Sequence, residues 1–113
     1  MRHTTYEPNR ALELLPLLAA IGREIEERSL GLERLERRIE RLSSQFLSDG
    51  APMRSLVAEA AIQRRELRRC RGELERLGCS VVGTSPLTIR IPTRDGQARK
   101  SLVWQSASPT QHG

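Results

Sequence analysis

Two cysteines, two histidines and a dense run of arginines are the residues of this sequence with the most chemical reach. Cys70 and Cys79 stand nine residues apart, and His3 and His112 stand near opposite ends. Structural zinc sites draw on closely paired ligands, and this set offers no such pair. A thiol nucleophile needs a base to draw off its proton, and the sequence places none beside either cysteine, Cys79 included. Cys70 falls inside a helical pattern and Cys79 just past its end, so a rise of about 1.5 Å per residue sets them more than about 10 Å apart, too far for a disulfide. Reduced thiols are expected, as in a cytoplasmic protein.

The arginines are the stronger signal. The stretch RRELRRCRGELERLGCS, residues 64–80, holds six of them. On a helix Arg64, Arg68 and Arg71 stack on one face with Arg65 and Arg69 beside them, a spacing able to follow phosphates. No aromatic residue lies near for base stacking, and no helix-turn-helix or zinc module accompanies the strip. The net charge of +5 agrees with a nucleic-acid partner, but eighteen of the nineteen basic residues are arginine, a skew that GC-rich codon usage produces without any function. Elsewhere the carboxylates are interleaved with arginines, as in Glu33 and Arg37 or Glu24 and Arg28, a pattern of surface ion pairs and not of free general acids or bases. Neither a phosphate loop nor a dinucleotide fingerprint is present. The sequence therefore leads to a non-enzymatic reading with no catalytic residue, no metal, no cofactor and no small-molecule substrate.

The elements that hold these residues are legible from apolar spacing. Leu14, Leu18, Ile21, Ile25, Arg28, Leu32, Leu35, Ile39, Leu42 and Phe46 recur at alternating steps of four and three, with Arg28 the one polar member. The spacing predicts a helix over about 8–47, with Pro8 in its first turn and Pro16 kinking or dividing it. After the turn SDGAP, the series Met53, Leu56, Ala60, Gln63, Leu67, Cys70, Leu74 and Leu77 predicts a second helix over about 52–77. Paired antiparallel, the two series fall into register. That register sets Arg28 against Cys70 and Gln63 against Leu35, polar groups facing apolar or thiol partners.

Residues 11–20, ALELLPLLAA, extend past the end of the second helix and need other cover. Residues 80–104 supply it: they are rich in β-branched residues and contain an Asp95-Gly96 turn, the signature of a β-hairpin able to pack on the start of helix one. QSASPTQHG, residues 105–113, is polar and aperiodic and is expected to be a disordered tail. Altogether 1–104 read as a single domain, mainly α, in which a long antiparallel helical hairpin of coiled-coil type is followed by a small C-terminal β-hairpin. No stretch approaches the roughly 20 apolar residues of a membrane span, and the polar N-terminus does not resemble a signal peptide, so no membrane insertion is expected.

At ALELLPLL, LERLGCSVV, LTIRIPTRDGQ and LVW the chain resembles the mostly bacterial family known as domain of unknown function 2203. Ala11, Leu14, Leu15 and Pro16 match its N-terminal motif, Gly78 its glycine after the second helix, and Pro92, Arg94, Asp95, Gly96 and Trp104 its β region. Arg90 and Ile91 stand where the family has Asp-Phe, Val103 stands where it has Cys before Trp, and the family's C-terminal Glu, Trp-His and Gly-Arg-x-Pro motifs have no counterpart. The resemblance implies the hairpin-plus-β plan for a divergent member, and no activity.

Function is then expected to be binding. A narrow two-helix seam buries little area, so association is expected, as a homodimer forming a four-helix bundle or with another protein, through the apolar extras Leu30, Val57 and Ile62. The alternative is a nucleic-acid-associated basic protein using Arg64, Arg65, Arg68, Arg69 and Arg71 with Arg90, Arg99 and Lys100. A third reading, an enzyme or metal protein, centres on Cys79 and Trp104.

Overall fold

A computed structural model describes residues 6–45, 50–95 and 98–106, with backbone alone for 94–101. Two long helices precede a three-stranded antiparallel sheet: α1 (Pro8–Ser44), α2 (Ala51–Arg76), β1 (Ser80–Thr84), β2 (Leu87–Asp95) and β3 (Ala98–Gln105), in strand order β1-β2-β3. This is the expected mainly-α plan of a helical hairpin with a small C-terminal β region, to which β1 adds a third strand. The chain comprises two compact units, Ile25–Arg69 and the combination of Met1–Glu24 with Cys70–Gly113.

Helix α1 starts with Pro8 at its first position, where the missing N–H breaks no bond, and the Ala11 N–H donates to the Glu7 carbonyl at 2.9 Å. Pro16 does not divide the helix. Pro16 and Leu12 are both exposed, so water can serve the Leu12 carbonyl that the proline leaves without its donor. Helix α2 ends at Gly78, whose φ of 77° suits glycine. There the Cys79 N–H donates to the Leu74 carbonyl and the Gly78 N–H to the Glu75 carbonyl, both at 2.9 Å, the two bonds of a Schellman motif. Leu74 and Cys79, at the positions that make the motif's apolar contact, are both buried.

In the hairpin unit Ile25, Met53, Leu56, Ala60 and Leu67 are buried, whereas Leu32, Leu35, Ile39 and Leu42 of α1 are only half-buried. The polar seam members do not face apolar partners, as the simple register had them: the Arg28 guanidinium donates to Gln63 Oε1 at 3.1 Å and lies 3.7 Å from Glu66. The arginine stem is long enough to carry its charge along the seam to a polar partner. Phe46, at the end of the series, lies outside the described residues.

The sheet unit is closed more tightly. Ala11, Leu18, Ile21, Cys70, Leu74, Cys79, Leu87, Ile89 and Ile91 are buried, and Leu18, Ile89 and Ile91 have no accessible surface. Neither cysteine is in a disulfide. Ile89 pairs with Val81 on one side and Trp104 on the other, so one face of the sheet is apolar across all three strands. Trp104 lies over the buried Gly22 of α1, so close that a Cβ there would stand 2.5 Å from two ring carbons. Of the segment 11–20, expected to need cover, Ala11 and Leu18 are buried while Leu12 and Leu17 stay exposed.

Two other features depart from the sequence reading. Tyr6, in the stretch read only as a polar N-terminus, donates its N–H to the Pro92 carbonyl at 3.0 Å and its hydroxyl to the Leu77 carbonyl at 2.6 Å. A disordered tail is expected from residue 105, but Gln105 ends β3 and the buried Ser106 donates its N–H to the Leu87 carbonyl at 3.0 Å. Backbone pairing to β2 outweighs the polar character of these two side chains. Residues 107–113 and Gly96 of the expected turn lie outside the described residues.

Candidate interaction surfaces

Four of the five strip arginines, Arg64, Arg65, Arg68 and Arg69, belong to the hairpin unit, and Arg71 belongs to the sheet unit. All five are exposed. Two of them are engaged: Arg64 donates to Glu36 Oε2 at 3.0 Å, and Arg69 donates through Nε to Glu66 Oε1 at 2.8 Å. Each pair sits on the surface, where an ion pair contributes about 0–1 kcal/mol, but each brings a carboxylate beside a cation that would otherwise attract phosphate. Arg65 and Arg68 have no such partner among the described residues. On α1, Arg37 pairs with Glu33 as the four-residue spacing predicts.

Charge is spread and not concentrated. Ten arginines and eight carboxylates fall in Ile25–Arg69, against nine basic and six acidic residues in the rest of the chain. Neither unit therefore holds the excess of +5 by itself. Of the cations added to the strip in the nucleic-acid reading, Arg90 is exposed on β2, and the side chains of Arg99 and Lys100 lie outside the described residues.

The apolar candidates Leu30, Val57 and Ile62 are all about half exposed, at 53%, 48% and 50%. They do not share a face. Val57 and Ile62 are five positions apart on α2, about 140° around a helix of 3.6 residues per turn. Leu30 follows the seam residue Arg28 by two positions, about 200° round α1, which turns it away from α2. The half-buried row Leu32, Leu35, Ile39 and Leu42, by contrast, lies on one stripe of α1. Helical spacing identifies those residues as core; it carries no information on how far the second helix covers them.

In the sheet unit a groove of about 430 Å³ is lined by Arg71, Leu74, Glu75, Cys79, Ser80 and Val81. The Cys79 thiol at its base is buried and 3.8 Å from the Leu77 carbonyl. Burial pushes its pKa up, away from the thiolate that nucleophilic or metal-binding chemistry requires. Tyr6, which shares the Leu77 carbonyl, is raised by burial first and by Cys79 second. Trp104, the other centre of the enzyme reading, is engaged in packing on Gly22.

Compared with known proteins, the chain matches no family model, no curated protein and no solved structure.

Among the described residues no group of three or more His, Cys, Asp or Glu is arranged to hold a metal ion, and no helix is long and apolar enough to cross a membrane.

Proposed function

We propose that this chain is a small interaction protein that works by binding another protein, through the helical hairpin of residues 25–69. One observation carries the reading: four successive seam side chains of α1, Leu32, Leu35, Ile39 and Leu42, remain half-buried after α2 is in place. Burying apolar area is worth about 25 cal/mol per Å², so a further helix laid along that stripe gains from each of them. The occupant is a helix of a protein partner or of a second copy. Two buried cysteines outside any disulfide support a reducing, cytoplasmic setting. We further propose that the chain is a divergent member of the domain of unknown function 2203 family, on the matches from Ala11 to Trp104.

A second reading, an electrostatic nucleic-acid binder, draws on one observation: Arg65 and Arg68 are exposed and have no ion-pair partner among the described residues. Titration of labelled RNA and duplex DNA with the purified protein at low and moderate salt, followed by anisotropy, separates the two. The interaction reading expects no binding at moderate salt. Binding that weakens linearly in log salt, with a slope that falls by about one for each of Arg65→Gln and Arg68→Gln, would replace it by the second reading.

A further inference from the structure

The sheet has two edges, and their sequences differ: β3 includes Arg99 and Lys100, residue types common on natural edge strands. β1, with the sequence SVVGT, carries no charge and no proline. Its central residue, Val82, falls within the irregularity between Val81 and Gly83 and is 56% exposed, more than any other large apolar side chain described. The protection of β1 is that irregularity and its short length instead of charge, and the strand also borders the groove, through Ser80 and Val81.

The rim of that groove says what fits it. Arg71 and Glu75 stand one turn apart on α2, both exposed, and neither side chain has an ion-pair or hydrogen-bond partner among the described residues. A peptide of one sign would satisfy one of them and repel the other. A second copy of the chain brings the same two charges in opposite order, because in a two-fold interface residue i meets j while j meets i. An uncharged five-residue strand with valine at its centre is likewise self-complementary in antiparallel pairing.

We propose that the β1 edge and its groove are the site at which a second copy joins, β1 pairing with β1 across a two-fold axis near Val82, with Arg71 and Glu75 of each copy facing Glu75 and Arg71 of the other. This goes beyond the hairpin reading, which concerns other residues and stands or falls separately. Such a dimer joins the two sheets edge to edge and uses none of the residues of the half-buried stripe.

The test is the mass of the full chain by sedimentation equilibrium across a range of concentrations, with circular dichroism to show that each variant stays folded. The wild type is expected to form a reversible dimer. Val82→Lys, which places a charge at the centre of the edge, is expected to yield monomer with unchanged helicity. Arg71→Glu and Glu75→Arg are each expected to weaken the dimer about tenfold or more by setting like charges together, and the double reversal to recover most of the loss. A monomer at every concentration overturns the proposal, as does a dimer indifferent to Val82→Lys and to both single reversals. In the second case self-association would lie on the hairpin, and the reading of residues 25–69 would survive. Single reversals that weaken the dimer without rescue by the double would also overturn it, since an extended peptide of another protein would then be the better occupant of the groove.

Discussion

The hairpin unit and the sheet unit are built from the same kinds of side chain, yet they bury them to different degrees. In residues 25–69 two helices meet along one stripe: Met53, Leu56, Ala60 and Leu67 of α2 are buried, whereas on α1 the half-buried Leu32, Leu35, Ile39 and Leu42 follow an arginine that reaches Gln63 and Glu66. In the sheet unit, strands, the start of α1 and the end of α2 enclose Leu18, Leu74, Ile89 and Ile91 almost completely. The helix pair leaves the α1 row from Leu32 to Leu42 partly open, while a sheet packed on helices covers its residues from several sides. The lesson is that one apolar period along a helix such as α1 marks both a closed core and an open one.

Truncation in the two units should expose the difference most strongly. Leu18→Ala and Ile89→Ala are expected to cost about 2–5 kcal/mol each, the range for fully buried large-to-small changes, while Leu35→Ala and Ile39→Ala cost less than half as much. Urea unfolding followed by circular dichroism measures both, and equal losses would break the comparison.

Glycine replacement sharpens it with opposite signs. Gly22→Ala places a Cβ 2.5 Å from the ring of Trp104 and is expected to destabilise by about 1–3 kcal/mol through overpacking. Gly31→Ala meets nothing nearer than the Gln63 side-chain nitrogen at 3.9 Å and is expected to stabilise by about 0.5–1 kcal/mol through helix propensity. Fluorescence of Trp104, the one tryptophan of the chain, reports the first change directly. A further loss of about 1–2 kcal/mol is expected for Gly78→Ala, which forces a Cβ into the left-handed conformation that closes α2.

The plan of helices and β region is legible in the sequence because each rests on a local period: steps of three and four from Leu14 to Leu77, then β-branched runs from Val81 to Val103. The sealing of the sheet unit is not. Trp104 over Gly22 and Tyr6 on the Leu77 carbonyl join residues far apart in the chain, and neither follows from spacing. Among the surface candidates the exposure of Leu30, Val57 and Ile62 is legible, but their distribution over separate faces emerges only once the phase of both helices is fixed. The arginine strip is visible as a run of letters, whereas the capture of Arg64 by Glu36 depends on the partner helix.

Smaller effects complete the contrast. Burial raises the pKa of Cys79 and of Tyr6, so each stabilises the sheet unit while protonated. Because the native state then holds its protons more tightly than the unfolded one, stability should fall as pH rises above the ordinary thiol value of about 9. Thermal unfolding across the alkaline range measures this, and Cys79→Ala should reduce the slope. Glu36→Gln, which breaks only the exposed pair with Arg64, is expected to change stability by less than about 1 kcal/mol.

The most direct test of the open seam is native-state hydrogen exchange, comparing the amides of Leu32, Leu35, Ile39 and Leu42 with those of Ile89 and Ile91. An open hairpin predicts exchange of the first group through local opening at lower free energy than the second, with protection of the first rising when a partner helix or a second copy is bound. Equal protection of the two groups in the isolated chain, unchanged by association, would contradict the account.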